Sequence, residues 1–240
     1  MRKYAVFDID GTLIRWQLYH VIVDRLAKQG SLGDEAYSVI QLARMKWKTR
    51  ETPESFAEYE KVLISNYEMA ITNLKTSKFD ELVDGIIDEY KDQVYTYTRD
   101  LIKTLKSQGY FLLAISGSHH ELVEKLAKYY KFDDWVGSKY ERRGDSFSGE
   151  AYIPSFDKAA ALQEFLTKHQ LSPSESLAVG DSKSDVTMLE LVENPIAFNP
   201  DKNLFEIAKT HKWKVVIERK NMIYQLKWKN GSYILVQTGE

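Results

Sequence analysis

The sequence predicts an α/β fold, in which helices cover both faces of a parallel β-sheet and a helical domain is inserted near the start. Short apolar runs alternate with amphipathic segments over the second half of the chain, as in successive βαβ units. A long stretch with helical spacing separates the first apolar run from the second. We therefore predict an α/β core from residues 1–14 and 97–220, a helical insertion over 15–96, and a C-terminal β-hairpin extension over 221–240.

The insertion is predicted from amphipathic segments that follow the first strand, Tyr4–Phe7. Apolar residues between Leu18 and Gln29 have helical spacing, and Gly30 is placed to end that helix. Further segments with this spacing lie at residues 40–47, 56–63 and 82–87. One begins near Thr52-Pro53-Glu54-Ser55, where a proline early in the first turn favours a helix start. No alternating strand interrupts these segments, so the insertion is predicted to be helical.

From Thr98 onward, strands and helices alternate. The apolar run Tyr110–Ile115 is typical of a strand buried in a parallel sheet. The other strands are predicted at 135–136, 176–179, 196–198 and 214–217, and the helices at 98–108, 122–127, 157–168, 185–192 and 202–210. Turn residues around Gly144 and Gly149 predict a small hairpin between Tyr140 and Ile153 that projects from the sheet.

The last residues carry a strong hairpin signal. The alternating runs Tyr224–Trp228 and Tyr233–Val236 flank Asn230-Gly231, a sequence typical of a type I′ turn. The hairpin would either add two strands to the protein's own sheet or offer an edge to a partner or a second copy.

Composition excludes several classes of function. The 240 residues are 43% hydrophobic, with a formal net charge of −2 and no cysteine. These values disfavour a nucleic-acid surface and exclude disulfides, thiolate catalysis and Cys-based zinc sites. Asp8 and Asp10 interrupt the apolar start too early for a signal peptide, and no run approaches the ~20 apolar residues that span a bilayer. We expect a cytoplasmic protein whose partner is a small solute, with no nucleic acid or membrane.

Two carboxylates and a glycine follow the first strand, as Asp8, Asp10 and Gly11. Alternation along an extended chain places both carboxylates on one side, and Gly11 permits a tight turn. Carboxylates this close repel each other unless one is protonated or a cation lies between them. Magnesium is commonly held by one or two carboxylates with waters and phosphate oxygens, so a magnesium site is predicted. An ordinary Asx-rich turn is the alternative, but it would not need the second aspartate.

Other predicted strands also end in polar residues, where ligands bind in open α/β sheets. Ser116-Gly117-Ser118, at a predicted helix start, offers a hydroxyl and backbone N–H groups to a phosphate. Ser116 could equally be a helix N-cap, and the two roles are compatible. Asp181 would add a carboxylate to the cation, and Asp185 would support the cation or a nearby ammonium. Asp185 could instead complement a helix dipole.

Two further residues near these strand ends are cationic or titratable. Lys158 opens a helix, where its charge opposes the helix dipole, and this favours a specific role over surface solvation. His119 follows the second polar cluster, and we expect it to be a solvated residue in the first turn of a helix.

Together these segments resemble the four motifs of the haloacid dehalogenase superfamily of phosphohydrolases, in the same order. The segments are Asp8-Ile9-Asp10-Gly11-Thr12, Ile115-Ser116-Gly117, Lys158 and Gly180–Asp185. The resemblance extends to about Ile217 and implies a Rossmann-like core. The inserted block is similar to the cap of subfamily IB, the branch that contains phosphoserine phosphatase.

This resemblance implies covalent catalysis. Asp8 would attack phosphorus to form an aspartyl-phosphate, and Asp10 would protonate the leaving oxygen and later activate water. The phosphoryl oxygens would be held by Ser116, Gly117 and Lys158, and the magnesium ion by Asp8, the Asp10 carbonyl and Asp181, with Asp185 and Ser182 in support. Closure of the cap would exclude bulk water during the first step.

Specificity residues are expected in the inserted block. Phosphoserine phosphatases usually carry a glutamate seven residues after the second aspartate, and here that residue is Gln17, which we place on the first cap helix. An amide loses the charge-assisted bond to a substrate ammonium, which disfavours phosphoserine. Arg44 could meet a substrate carboxylate or be solvated. Trp16 and the aromatic residues Tyr19, Trp47 and Tyr59 could line a pocket for an apolar or quaternary-ammonium group, or belong to the core.

The leading hypothesis is a magnesium-dependent phosphomonoester hydrolase acting on a small phosphorylated metabolite. A phosphoserine phosphatase proper, or a phosphotransferase to an alcohol acceptor, would use the same residues. A non-enzymatic interaction protein is a third possibility, against which the intact acidic residues and Lys158 argue.

Overall fold

The computed structural model describes residues 2–52 and 54–239, so Met1 and the predicted helix-starting Pro53 lie outside the described residues. The chain divides into two compact units. The first comprises Met1–Gln17, Glu89–Ser138 and Ile153–Glu240, and the second comprises Leu18–Asp88 and Lys139–Tyr152.

The first unit is built on a mostly parallel sheet. Its central strand is β1 (Arg2–Phe7), which pairs in parallel with β2 (Phe111–His119) on one side and β5 (Leu171–Gly180) on the other. The start of β3 (Asp134–Arg143) pairs with β2, while β6 (Asn194–Phe198) and β7 (Lys214–Arg219) continue the parallel sheet beyond β5. The predicted α/β fold class is confirmed.

Five helices accompany this sheet within the described residues. They are α5 (Thr96–Ser107), α6 (His120–Tyr129), α7 (Lys158–His169), α8 (Val186–Leu189) and α9 (Lys202–His211). Buried side chains such as Leu113, Leu162 and Leu204 bring the strands and helices into one hydrophobic core. This core fixes the strand ends at which the polar motifs lie.

The helix predicted at 185–192 is shorter in the structure. A 3-10 turn over Lys183–Asp185 leads into α8, which ends at Leu189. Because Pro195 disfavours a helical conformation at the residue before it, the chain must become extended at Asn194, where β6 begins.

The C-terminal hairpin adds two strands to the protein's own sheet. β8 (Met222–Lys229) pairs antiparallel with β7, and β9 (Ser232–Gly239) pairs with β8. Asn230 and Gly231 have φ angles of 51° and 86°, both left-handed, as a type I′ turn requires. Of the two arrangements that the sequence allowed, the structure therefore has the pairing with its own sheet.

Within its described residues, the second unit contains four helices and a hairpin. The helices are α1 (Leu18–Lys28), α2 (Asp34–Thr49), α3 (Ser55–Ile71) and α4 (Thr76–Tyr90), the last of which ends in the first unit. The far end of β3 pairs with β4 (Ser146–Tyr152), and Arg142 forms a bidentate ion pair with Asp80 of α4. The sequence predicts these hairpin residues as part of the core, whereas in the structure they group with the helices.

No helix in the described part of the chain is both long enough and apolar enough to cross a bilayer.

Truncation of a central core residue should be far more costly than truncation at the sheet edge. Leu113 is fully buried, whereas Leu235 on β9 is 52% exposed. We expect Leu113→Ala to lower the free energy of unfolding by about 2–5 kcal/mol, through lost burial and a residual cavity. Leu235→Ala should change it by no more than about 0.5 kcal/mol. Urea titration measures both, and equal effects would contradict this assignment of core and edge.

Candidate active site

Asp8 lies at the end of β1, where the sheet stops and the first polar loop begins. Its side chain is almost fully buried, and its backbone N–H donates to the carbonyl of Val179 in β5 at 3.0 Å. Asp8 is therefore held by the sheet itself, and this fixes the direction in which its carboxylate points.

The loop after Asp8 folds back on the carbonyl of Ile9. That oxygen accepts the N–H groups of Leu13 and Ile14, each at 2.9 Å. Gly11 has φ = 77°, and a Cβ at this position would collide with the carboxylate of Asp181. Glycine is thus needed both for the turn and for the close approach of Asp181 to the loop backbone.

Lys158, the first residue of α7, is buried beside Asp8. Its Nζ donates to Asp8 Oδ1 at 2.6 Å, to Asp185 Oδ1 at 2.5 Å and to the carbonyl of Ile115 at 3.1 Å. An ammonium has three donors, so these three bonds satisfy it. The N-terminus of α7 is capped separately, because Asp157 accepts from the N–H of Ala160 at 2.9 Å.

Asp185 organises the loop that carries Asp181. Its Oδ2 accepts from the backbone N–H groups of Asp181 and Ser182, each at 2.9 Å, while its Oδ1 faces Lys158. Ser182 completes a capping box with Asp185. Both oxygens of Asp185 are therefore engaged in positioning the loop and the lysine.

Ser116 contacts Asp10 and is not a helix N-cap. Its hydroxyl donates to Asp10 Oδ2 at 2.8 Å, and its oxygen accepts from the N–H of Ser118 at 3.0 Å. β2 extends past the predicted end to His119, which pairs with Ser138 of β3, so α6 starts only at His120. The expectation of a helix start at Ser116 was wrong for this reason.

His119 was also expected to be solvated in a helix, and this is wrong. Its side chain is fully buried at the end of β2, with Nδ1 at 3.9 Å from a carboxylate oxygen of Glu121.

Burial and crowding raise the pKa values of two carboxyl groups in this cluster. Burial, with the charges of Asp185 and Asp10 and against the opposing effect of Lys158, raises the pKa of Asp8 to about 7. Burial and then the Asp8 charge raise the pKa of Asp181 well above its ordinary value. Burial alone would lower the pKa of Lys158, but Asp185 and Asp8 raise it above its usual range. Lys158 therefore stays cationic.

The residues present fit a divalent cation. Asp8, Asp181 and Asp185 each place a carboxylate oxygen within 4.8 Å of the others. Three carboxylates face one ammonium, and both oxygens of Asp185 are already engaged. A cation between Asp8 and Asp181 would therefore favour their charged forms, which burial and mutual repulsion disfavour. Hard carboxylate oxygens are the ligands that Mg²⁺ and similar ions prefer.

The predicted specificity residues belong to different units of the structure. Gln17 belongs to the first unit and precedes α1, which begins at Leu18, so its placement on the first cap helix was wrong by one residue. Trp16 is 49% exposed and donates to Gln93 Oε1 at 2.6 Å. Arg44, in the second unit, forms an ion pair with Asp24 at 2.8 Å, which gives it a partner inside that unit.

The other aromatic residues form two groups in the second unit. Tyr59 stacks on Trp47 with ring centroids 5.2 Å apart, whereas Tyr19 packs edge-on against Tyr67 at the same separation. Both groups pack helices of this unit against one another. A role in packing is one of the two roles that the sequence allows for these residues, the other being a ligand pocket.

Sequence reasoning missed two residues that support the first loop. Thr98 donates to the carbonyl of Thr12 at 2.9 Å, and Glu218 accepts from Arg15 at 2.8 Å. Neither lies in a motif, and the sequence offers no signal for contacts over such separations.

A family model described as haloacid dehalogenase-like hydrolase matches residues 5–190. The chain belongs to this family. The resemblance predicted from the four motifs is thereby confirmed, and enzymes of this family typically use a divalent metal.

Curated relatives of this hydrolase include phosphatases. A phosphoserine phosphatase of Lactococcus lactis subsp. lactis is 29% identical over 197 residues, covering 80% of this chain and 82% of that protein. A phosphoserine phosphatase of Archaeoglobus fulgidus is 26% identical over 86% of this chain, which spans only 55% of that protein. A histidinol-phosphatase of Neisseria meningitidis serogroup C is 25% identical, covering 90% of this chain and 99% of that protein. These relatives indicate a phosphatase.

Solved structures support the fold of the hydrolase. A phospho-aspartyl intermediate analogue of phosphoserine phosphatase aligns with a TM-score of 0.63 at 19% identity, covering 91% of this chain and 94% of that chain.

Removal of the buried ammonium should strongly destabilise the hydrolase. We expect Lys158→Met to lower the free energy of unfolding at pH 7 by about 3–5 kcal/mol, since it leaves carboxylates buried without their cation. The deficit relative to wild type should shrink as the pH falls. Lys158 lowers the pKa of Asp8 and of Asp181, so its loss raises both pKa values further, and the native variant binds protons at a higher pH than native wild type does. Urea titration at several pH values measures this.

Lys168→Met is the matched control on the same helix. Lys168 is 63% exposed in its ion pair with Asp134, so its loss should cost no more than about 1 kcal/mol. A comparable loss in the two variants would contradict the assigned importance of the buried contact.

Proposed function

We propose that this hydrolase is a magnesium-dependent phosphatase that cleaves small phosphomonoesters through an aspartyl-phosphate on Asp8. The observation that carries the proposal is the contact between the buried Asp8 carboxylate and the Lys158 ammonium at 2.6 Å, beside Asp181. A buried carboxylate at the end of the central strand, next to a permanent cation, suits attack on an anionic phosphoryl group.

In the first step, an oxygen of Asp8 attacks phosphorus and the ester P–O bond breaks. Asp10 gives its proton to the leaving oxygen, so an alcohol departs and the phosphoryl group remains on Asp8. Lys158 offsets negative charge on the phosphoryl oxygens. Ser116 donates its one hydroxyl proton to Asp10 at 2.8 Å and so orients that carboxyl group. When substrate binds, the hydroxyl would turn to donate, with the N–H of Gly117, to the phosphoryl group.

In the second step, Asp10 takes a proton from water as the water oxygen attacks phosphorus. The bond between phosphorus and Asp8 then breaks, which releases inorganic phosphate and restores the free carboxylate. When bound, magnesium supplies positive charge that lowers the repulsion between Asp8 and the phosphoryl oxygens. Asp8, Asp181 and the carbonyl of Asp10 would hold it, while Asp185 and Ser182 would keep the Asp181 loop in place.

The Asp8→Asn variant tests this proposal directly. The amide oxygen of the new side chain can still accept a hydrogen bond from Lys158 but cannot form the acyl-phosphate. We therefore expect phosphate release to fall at least about a thousandfold with an unchanged circular dichroism spectrum. The assay is a phosphate-release screen over phosphorylated metabolites with magnesium, with EDTA, and with EDTA followed by excess magnesium or calcium.

Activity should vanish with EDTA and return with magnesium far better than with the larger calcium ion. Asp34→Asn, which changes an exposed aspartate on α2, serves as the control and should retain full activity. Substantial turnover by Asp8→Asn, or turnover without metal, would disprove the mechanism. Organic phosphate appearing when a polyol is added would identify phosphotransfer instead.

We further propose that phosphoserine is at most a poor substrate, because Gln17 lacks the charge that would pair with a substrate ammonium. A charge-assisted hydrogen bond contributes about 1.5–3 kcal/mol, or roughly tenfold to hundredfold in preference. We expect some other phosphomonoester to be turned over at least about tenfold better in kcat/KM, and Gln17→Glu to shift preference toward amino-bearing substrates.

The measurement compares kcat/KM for phosphoserine and for the best screened substrate in wild type and Gln17→Glu. Gln108→Glu, an exposed substitution of the same kind, should leave the ratio unchanged. A wild-type preference for phosphoserine would refute the argument from Gln17.

A further inference from the structure

Glu218, near the end of β7, is a buried carboxylate surrounded by donors. Its Oε1 accepts from Arg15 Nη2 at 2.8 Å and from the N–H of Thr96 at 3.0 Å, and its Oε2 accepts from the N–H of Tyr97 at 2.9 Å. Its own N–H donates to Asn199 Oδ1 at 2.8 Å. The side chain is 1% exposed, so its charge depends on these bonds.

The bonds to Thr96 and Tyr97 cap helix α5 from outside the helix. Its N-cap residue, Tyr95, makes no side-chain capping bond, and its first turn contains no acidic residue. The first N–H groups of a helix need an acceptor and favour negative charge. Glu218 supplies both across a separation of more than a hundred residues.

Helix α5 in turn supports the loop that carries Asp8 and Asp10. The Thr98 hydroxyl, fully buried, donates to the carbonyl of Thr12 at 2.9 Å. The N–H of Tyr95 donates to the carbonyl of Leu13 at 3.0 Å. The start of α5 thus holds two successive carbonyls of the loop that follows Asp8, which we call the nucleophile loop.

Arg15 connects the same carboxylate to the end of that loop. Besides its bond to Glu218, Arg15 donates from Nε to the carbonyl of Val94 at 2.9 Å. Its backbone N–H donates to the carbonyl of Gln93 at 3.0 Å. Arg15, at the end of the loop, is therefore hydrogen-bonded both to the segment just before α5 and to Glu218.

We propose that Glu218 is a positioning residue for the nucleophile loop, acting through α5 and Arg15. The inference rests on the proposed phosphatase function for its catalytic consequence. Glu218 lies beyond residue 190, where the family match ends, so this support comes from a part of the chain outside the matched domain. Glu218 holds the N–H groups of Thr96 and Tyr97 at the start of α5. From there Thr98 and Tyr95 hold the carbonyls of Thr12 and Leu13, in the loop that follows Asp8 and carries Asp10.

The test begins with Glu218→Gln. A glutamine keeps one acceptor but places an NH₂ group against backbone or guanidinium donors, so the cap and the ion pair are weakened. We expect kcat to fall about tenfold or more with KM changed less than about twofold, since the loop moves while the phosphate donors remain. Glu206→Gln, which alters an exposed carboxylate on α9, should leave both constants unchanged.

Thr98 provides a second, milder pair of variants. Thr98→Val keeps the shape but removes the hydroxyl bonded to Thr12, whereas Thr98→Ser keeps the hydroxyl. We expect the valine variant to lose kcat about tenfold and the serine variant to stay within about threefold of wild type. The Glu218→Gln, Thr98→Val double variant should lose less than the product of the two single losses, because both act on one loop. If Glu218→Gln does not fold, the comparison of kcat between Thr98→Val and Thr98→Ser decides whether α5 positions the loop.

Hydrogen exchange gives a readout that does not depend on activity. In Glu218→Gln and Thr98→Val, the amides of Leu13, Ile14 and Tyr95 should exchange at least about tenfold faster, while amides in the centre of β1 stay protected. A wild type that releases no phosphate would defeat the proposed function but leave this measurement decisive. Unchanged exchange in the loop, or unchanged kcat in folded Glu218→Gln, would overturn the positioning role.

Discussion

The contact of the Lys158 ammonium with Asp8 and Asp185 is the interaction on which the rest of the site depends. Withdrawing an ion from water costs several kcal/mol, and a lysine at a helix start also opposes the helix dipole. Both penalties are met here by two carboxylates at 2.6 and 2.5 Å, with Asp157 capping the helix separately. The two carboxylates therefore stabilise the buried ammonium, and the ammonium in turn stabilises both of them.

The contacts of Lys158 connect three neighbouring strands of the sheet. The ammonium touches Asp8 after β1, the carbonyl of Ile115 in β2 and Asp185 beyond β5. Asp185 then uses its other oxygen to hold the N–H groups of Asp181 and Ser182. One buried cation thus helps to set the relative positions of loops that lie far apart in the sequence. Its contacts bring the carboxylates of Asp8, Asp181 and Asp185 close together.

The sequence was sufficient for the parts of this arrangement that follow from local rules. Alternation and strand ends predicted that Asp8 and Asp181 would meet at one edge of the sheet, and the opposed helix dipole marked Lys158. The longer course of β2 was not predictable, because it depends on pairing with β3 that no local pattern encodes. The same holds for Glu218, whose partner Arg15 lies 203 residues away and whose sequence context is typical of a solvated strand end.

The charges in the cluster bear on the reaction at the phosphoryl group and not on the choice of substrate. Three carboxylates outnumber one ammonium, so a bound cation would favour the approach of a phosphoryl dianion to Asp8 by adding positive charge. This effect concerns the phosphoryl group alone and is the same for every phosphomonoester. We propose that the leaving group meets different residues, those that follow Asp10 along the chain, and that discrimination among substrates arises there. The resemblance to phosphoserine phosphatases implies a charged residue where this chain has the neutral Gln17. Our proposal is therefore that the chain shares the chemistry of those enzymes and selects a different leaving group.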